Sequence, residues 1–198
     1  MLHRVQIDII QVAEVSYNKS MKTSDLLARE SYWVLSKRLL AGKYPGTKDE
    51  GETRQRLGWL LDQGITFFVD LTEEGEGGKE PYEFILMEEA LARGVTAIRH
   101  HKPIRDFGVP TEEEMIQTLD ALDVALAAGH RVYVHCAGGI GRTGMVVGCY
   151  LVRNGIGLSG QHALDHLARL RKDTVDAWQE SPETPAQRKM VLGWSLHK

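Results

Sequence analysis

The sequence predicts an α/β fold: one domain with a mostly parallel central sheet flanked by helices. Three observations predict it. Short runs rich in β-branched and aromatic residues recur along the chain, as in ITFFVDL (65–71) and HRVYVH (130–135). Segments of helical length lie between these runs. Glycine closes several of those segments, at Gly64, Gly94 and Gly129. Strands that alternate with helices in this way build parallel sheets.

The elements follow in order. Residues 1–29 read as an N-terminal extension, in which HRVQIDIIQVAEV alternates loosely and fits either a strand or an added arm. SYWVL and RLLAGKYPG read as two short strands, closed by a turn at Pro45-Gly46. Thr47 is expected to cap a helix that runs to Gln63. ITFFVDL is a buried strand and EGEGGKEP a loop. Pro81 opens the next helix and Gly94 closes it. VTAIRHH (95–101) is a strand and KPIRDFGVP a loop with two prolines and a glycine. Thr111 followed by Glu114 is a capping-box pattern, and Glu112, Glu113 and Glu114 put negative charge where the helix dipole favours it. That helix reaches Ala128. HRVYVH is the next strand, with helices expected over 142–154 and 159–171 and a last one after Pro185. There is no internal repeat and no low-complexity linker.

Composition excludes several classes. The 198 residues fit one domain, with 42% hydrophobic and 26% charged residues. A net charge of -3 gives no general attraction to nucleic acid or anionic membranes, so neither is expected as a partner. No apolar stretch is long enough to span a bilayer. Gln6, Asp8, Gln11 and Glu14 interrupt the first apolar segment, which does not read as a signal peptide. A cytoplasmic location is the expectation. Two cysteines, Cys136 and Cys149, are too few for a disulfide framework.

In parallel sheets ligands sit beyond the carboxyl ends of the strands. Three loops leave strands there, after Leu71, His101 and His135. The last begins VYVHCAGGIGRTG (132–144), a strand, a glycine-rich loop and a helix start. A thiolate is a nucleophile, and both a helix N-terminus and a nearby arginine favour it. The spacing gives Cys136 both. Gly138, Gly139 and Gly141 let the loop curl, because glycine tolerates positive φ and presents no side chain. Backbone N–H groups of Ala137, Gly138, Gly139, Ile140, Gly141 and Arg142 can then surround an oxyanion. Arg142 can grip two of its oxygens. Thr143 can donate a hydrogen bond to the sulfur.

HCAGGIGRTG (135–144) resembles the signature of the cysteine-dependent tyrosine and dual-specificity phosphatases: His-Cys, five residues, Arg, then Ser or Thr. The loop lacks the Gly-Lys-[Ser/Thr] ending of nucleotide-binding phosphate loops. RLLAGKYPG looks like the opening strand of the compact dual-specificity-like branch, and the likeness covers residues 30–195. Residues 30–198 are therefore expected to form a catalytic domain of dual-specificity-phosphatase-like fold. The resemblance implies that Cys136 attacks phosphorus to form a cysteinyl-phosphate. An aspartic acid protonates the leaving oxygen and later activates water. It implies no metal and no cofactor.

Asp106, in PIRDFGVPT, is the leading candidate for that acid, about 30 residues before the cysteine on the neighbouring loop. Pro103, Gly108 and Pro110 give it a shaped lid. Asp70, Glu73 and Glu74 are rivals. SPETPAQRKMV is similar to a segment that in relatives brings a glutamine toward the hydrolytic water, which suggests Gln187. His135 is expected to hold the loop by hydrogen bonding. Cys149 is expected in the core. His162 and His166 have metal-ligand spacing but no third ligand in view.

The expected function is phosphomonoester hydrolysis on a phosphorylated protein, at tyrosine or at serine and threonine as well. The alternatives are a phosphoinositide, inositol phosphate or RNA 5′-phosphate hydrolase, and a non-catalytic phosphate-binding module. The loop carries no lysine, which favours a singly phosphorylated substrate. His100, His101, Lys102 and Arg105 put positive charge near the lid.

Overall fold

The structure is a computed structural model that describes residues 23–195. The reading of HRVQIDIIQVAEV as a strand or arm lies outside the described residues. Helix α1 (Thr23–Arg29) is followed by β1 (Ser31–Leu35), β2 (Leu39–Gly42) and α2 (Glu50–Asp62). Then come β3 (Ile65–Asp70), α3 (Glu83–Ala92), β4 (Ile98–His101) and α4 (Glu112–Ala127). The chain closes with β5 (Arg131–His135), α5 (Gly141–Arg153), α6 (Gly160–Arg171) and α7 (Pro185–Gly193).

The five strands form one sheet in the order β1-β2-β5-β3-β4. β1 runs antiparallel to β2, and the other three pairings are parallel. This is the expected mostly parallel sheet. Period-two alternation along β5 explains the two-layer cover. Val132 and Val134 face a core built with α4, α5, α6 and α7, and Tyr133 faces a second core built with α2 and α3. α1 packs on α2 and β1, with Leu27 buried.

Three boundaries differ from expectation for local reasons. Asp49, not Thr47, caps α2: its side chain accepts from the Glu52 N–H at 2.7 Å. Thr47 braces the approach instead, its Oγ1 accepting from the Asp49 N–H at 3.2 Å. β4 begins at Ile98 rather than Val95, because the Val95 N–H bonds back to Ala90 O at 3.0 Å in the closing turn of α3. α3 itself starts at Glu83, with Tyr82 rather than Pro81 at its N-cap. The loop EGEGGKEP contains a 3-10 turn over Glu76–Gly78. The Thr111 capping box is present as read, Thr111 Oγ1 accepting from the Glu114 N–H.

The loops at the carboxyl edge of the sheet are laced side by side. The Leu71 N–H donates to His135 O at 2.9 Å, and the Ile104 N–H donates to Leu71 O at 3.0 Å. The Tyr44 N–H donates to Ala137 O at 3.2 Å. Residues far apart in sequence therefore meet at this edge.

Candidate active site

The β5–α5 loop folds tightly around Gly139, whose φ is +73°. A Cβ there would lie 2.6 Å from the backbone C and O of Gly42, so this glycine is required twice over. At Gly141 a Cβ would sit 2.9 Å from Gln187 Oε1, so that side-chain end would have to shift to admit one. Gly138 has neither constraint: its φ is not positive and a Cβ would meet nothing nearer than 3.9 Å. Ile140 caps α5 without a side-chain bond, which leaves first-turn N–H groups available to a bound anion. Ser181 Oγ donates to Ile140 O at 2.7 Å and fixes the loop from behind.

Cys136, Asp106, Phe107, Ala137, Gly138, Ile140, Gly141, Arg142, Glu183 and Gln187 line one cleft of about 200 Å³. Cys136 is 3% exposed and Arg142 is 2% exposed. The expected loop residues except Gly139, the expected acid and the expected glutamine thus come together. Both cysteines are free, and Cys149 is buried in the core as expected, where burial pushes its thiol pKa up. Thr143 is fully buried beneath the loop, and its Oγ1 makes no hydrogen bond, to sulfur or to oxygen, among the described residues.

Two carboxylates hold the Arg142 guanidinium. Glu76 takes it bidentately, at 2.5 and 2.7 Å, and Asp106 Oδ1 sits 2.8 Å from the Nη2 group. Nη1 also donates to Ile104 O at 3.0 Å. The arginine hydrogen bond holds the Glu76 carboxyl below its usual pKa. Gln187 is buried, and its Nε2 donates to Gly108 O at 3.1 Å, which ties the lid to α7. Phe107 holds a φ of +56° beside Asp106, and its N–H donates to Asp106 Oδ1 at 3.1 Å.

His135 lies behind the nucleophile with no exposure. Its Nε2 meets the Tyr82 hydroxyl at 2.7 Å, and its Nδ1 is 3.8 Å from Asp70 Oδ1. Burial pushes its pKa down to about 4, so the ring is neutral near pH 7. Among the rivals to Asp106, Asp70 is buried and committed to Thr72 and Arg99. Glu73 is exposed and accepts from the Asp106 N–H at 3.4 Å; Glu74 is exposed. None of the three lines the cleft. Nor do His100, His101, Lys102 and Arg105; His101 Nε2 turns onto Thr72 O at 2.7 Å. His162 and His166 lie on α6, with no metal-holding cluster among the described residues.

The sequence reading missed Glu76, Glu183 and Tyr82. Glu76 lies in a glycine-rich loop with no periodicity to mark it. Glu183 stood inside the quoted SPETPAQ segment, where only the glutamine drew attention. Tyr82 reads as a helix-start residue, and only the sheet brings it to His135.

This fold and loop place the chain in the cysteine-based tyrosine and dual-specificity phosphatase superfamily. A family model described as Tc-R-P, "Polymorphic toxin system, DSP-PTPase phosphatase", matches residues 43–156, and the chain belongs to that family. A protein of invertebrate iridescent virus 3 that carries the name of a tyrosine phosphatase is 30% identical over 171 residues. The match takes in 81% of this chain and spans 63% of the viral protein's length. P. aeruginosa TpbA, solved in complex with phosphotyrosine, superposes with a TM-score of 0.61 at 17% identity, over 85% of this chain and 86% of that one. PTPMT1, solved in complex with PI(5)P, gives 0.58 at 21% identity, over 82% of this chain and 92% of that one. These two likenesses concern the fold.

Proposed function

We propose that this chain hydrolyses phosphomonoesters on phosphorylated protein, without a metal, through a cysteinyl-phosphate on Cys136. The observation that carries the reading is the single cleft that holds Cys136, Arg142, Asp106 and Gln187 together. In the first step the Cys136 sulfur forms a bond to phosphorus as the bond to the ester oxygen breaks. Asp106 delivers its proton to that oxygen, so the leaving group departs as a neutral alcohol or phenol. Charge spread over the phosphoryl oxygens meets Arg142 and the N–H groups of residues 137–142. In the second step Asp106, now a carboxylate, takes a proton from water as the water oxygen bonds to phosphorus. The S–P bond breaks, and inorganic phosphate and the thiolate are released. Gln187, fixed between Gly108 and the loop, orients that water.

His135 and Glu76 act through others. Neutral His135, tied to Tyr82, holds the strand end that presents Cys136. Glu76 fixes the plane of the Arg142 fork. The fold is shared by PTPMT1, solved with PI(5)P, so a lipid phosphate is the second reading. The neutral loop side chains at 137–141 supply no cation for an additional phosphate, which favours the protein substrate.

The test is phosphate release from a phosphotyrosine and a phosphothreonine peptide, with chelator present, for wild type and Cys136→Ser. The reading expects release that vanishes in the variant. Release that persists in Cys136→Ser refutes the nucleophile, and release only from a phosphoinositide moves the substrate to the second reading.

A further inference from the structure

Arg142 is the only cation lining the cleft, and the cleft's carboxyl side chains are Glu183 and Asp106, the latter carrying the proton in the first step. Glu76 adds a third carboxylate, bonded to Arg142 itself. The arginine is therefore already balanced before substrate arrives. Glu183 differs from the other two carboxylates. It is exposed, with no ion pair or hydrogen bond among the described residues. Its Oε2 lies 3.1 Å from where a Cβ on Gly141 would sit, at the first residue of α5. That places an uncommitted negative charge at the mouth of the phosphate cleft.

We propose that Glu183 is a specificity-determining residue that selects phosphopeptides carrying an arginine or lysine next to the phosphorylated residue. The proposal rests on the phosphopeptide reading above and deepens it. A basic neighbour on the substrate finds in Glu183 a carboxylate with no ion pair among the described residues. An acidic neighbour, or a second phosphate, meets like charge in Glu183. Lys102 and Arg105 do not line the cleft. Residues 137–141 contribute no side-chain cation either.

The experiment measures binding and turnover separately. Fluorescence anisotropy of Cys136→Ser gives Kd for two phosphotyrosine peptides that differ only in flanking residues, arginine in one and glutamate in the other. The inference expects the arginine peptide to bind about three- to fivefold tighter at low salt, the size of an exposed ion pair, with the ratio shrinking as salt rises. Adding Glu183→Gln brings the ratio to about one, and Glu183→Lys inverts it. Glu180→Gln, at a carboxylate 3.7 Å from Arg188 and outside the cleft, leaves the ratio unchanged. Equal affinities, a preference for the glutamate peptide, or a ratio that survives Glu183→Gln overturns the inference. So does failure of both peptides to bind when wild type still releases phosphate from a small ester. Wild-type turnover reports on the proposed function alone: binding with the expected ratio but no turnover would refute hydrolysis and leave the role of Glu183 standing.

Discussion

Cys136 and Asp106 make and break the bonds in this account, and His135 supports the strand end that presents the nucleophile. Cys136 is nearly buried and lines the cleft, where its sulfur is the nucleophile. Asp106 is the residue that must change protonation state in each turnover. Asp106→Asn is expected to lower turnover of a phosphotyrosine peptide by roughly 100- to 10,000-fold while phosphate affinity is kept. Unchanged turnover in the variant would remove Asp106 from the mechanism. His135 gives a stability prediction. Its pKa falls from 6.5 to about 4 on folding, so between those values the unfolded chain binds more protons than the folded one. Stability contributed by neutral His135 is therefore complete above pH 6.5 and is lost as pH falls toward 4. Urea unfolding at pH 7 and pH 4.5 should show a wild-type loss about 1–3 kcal/mol larger than that of His135→Gln. Equal losses would mean that the ring is not held neutral.

The phosphate loop, an element of seven residues from Cys136 to Arg142, rests on one backbone conformation. Gly139 holds a φ of +73° against the backbone of Gly42. Gly139→Ala puts a methyl 2.6 Å from that backbone, so the loop must open or β2 must move. The expected outcome is loss of at least about 1 kcal/mol of stability and loss of phosphate binding, read by thermal unfolding with and without phosphate. A phosphate-induced rise in Tm equal to wild type would contradict it. The elements also show what local sequence can disclose. Capping by Thr111 was legible because both partners lie within four residues. The motif HCAGGIGRTG was legible because strand, loop and helix follow one another in sequence. The start of β4 was not, because Val95 has strand composition but its N–H is taken by the end of α3. Thr47 was misread as a cap for a similar reason: Asp49, two residues on, is nearer the first turn and takes the role.

At the scale of the molecule, the strand order gathers the site. β5 lies between β2 and β3, and β4 follows β3, so the loops after β5, β3 and β4 lie in a row at one edge. That brings Cys136, Glu76 and Asp106 to one guanidinium from three segments. α7 packs on α5 and delivers Gln187 and, just before it, Glu183. The alternation of strands and helices made the parallel sheet legible, and with it the edge where the site lies. Glu76 and Glu183 were not legible as site residues, because their meaning depends on strand order and on helix packing rather than on neighbours in sequence. The central claim is covalent: the phosphoryl group passes through sulfur. Rapid acid quench of wild type during turnover of a phosphotyrosine peptide, followed by mass spectrometry of the digested protein, tests it most directly. The account predicts one added phosphoryl group on the fragment that contains Cys136, absent without substrate. Phosphate released while no fragment carries the group, or while a different residue carries it, would contradict the account.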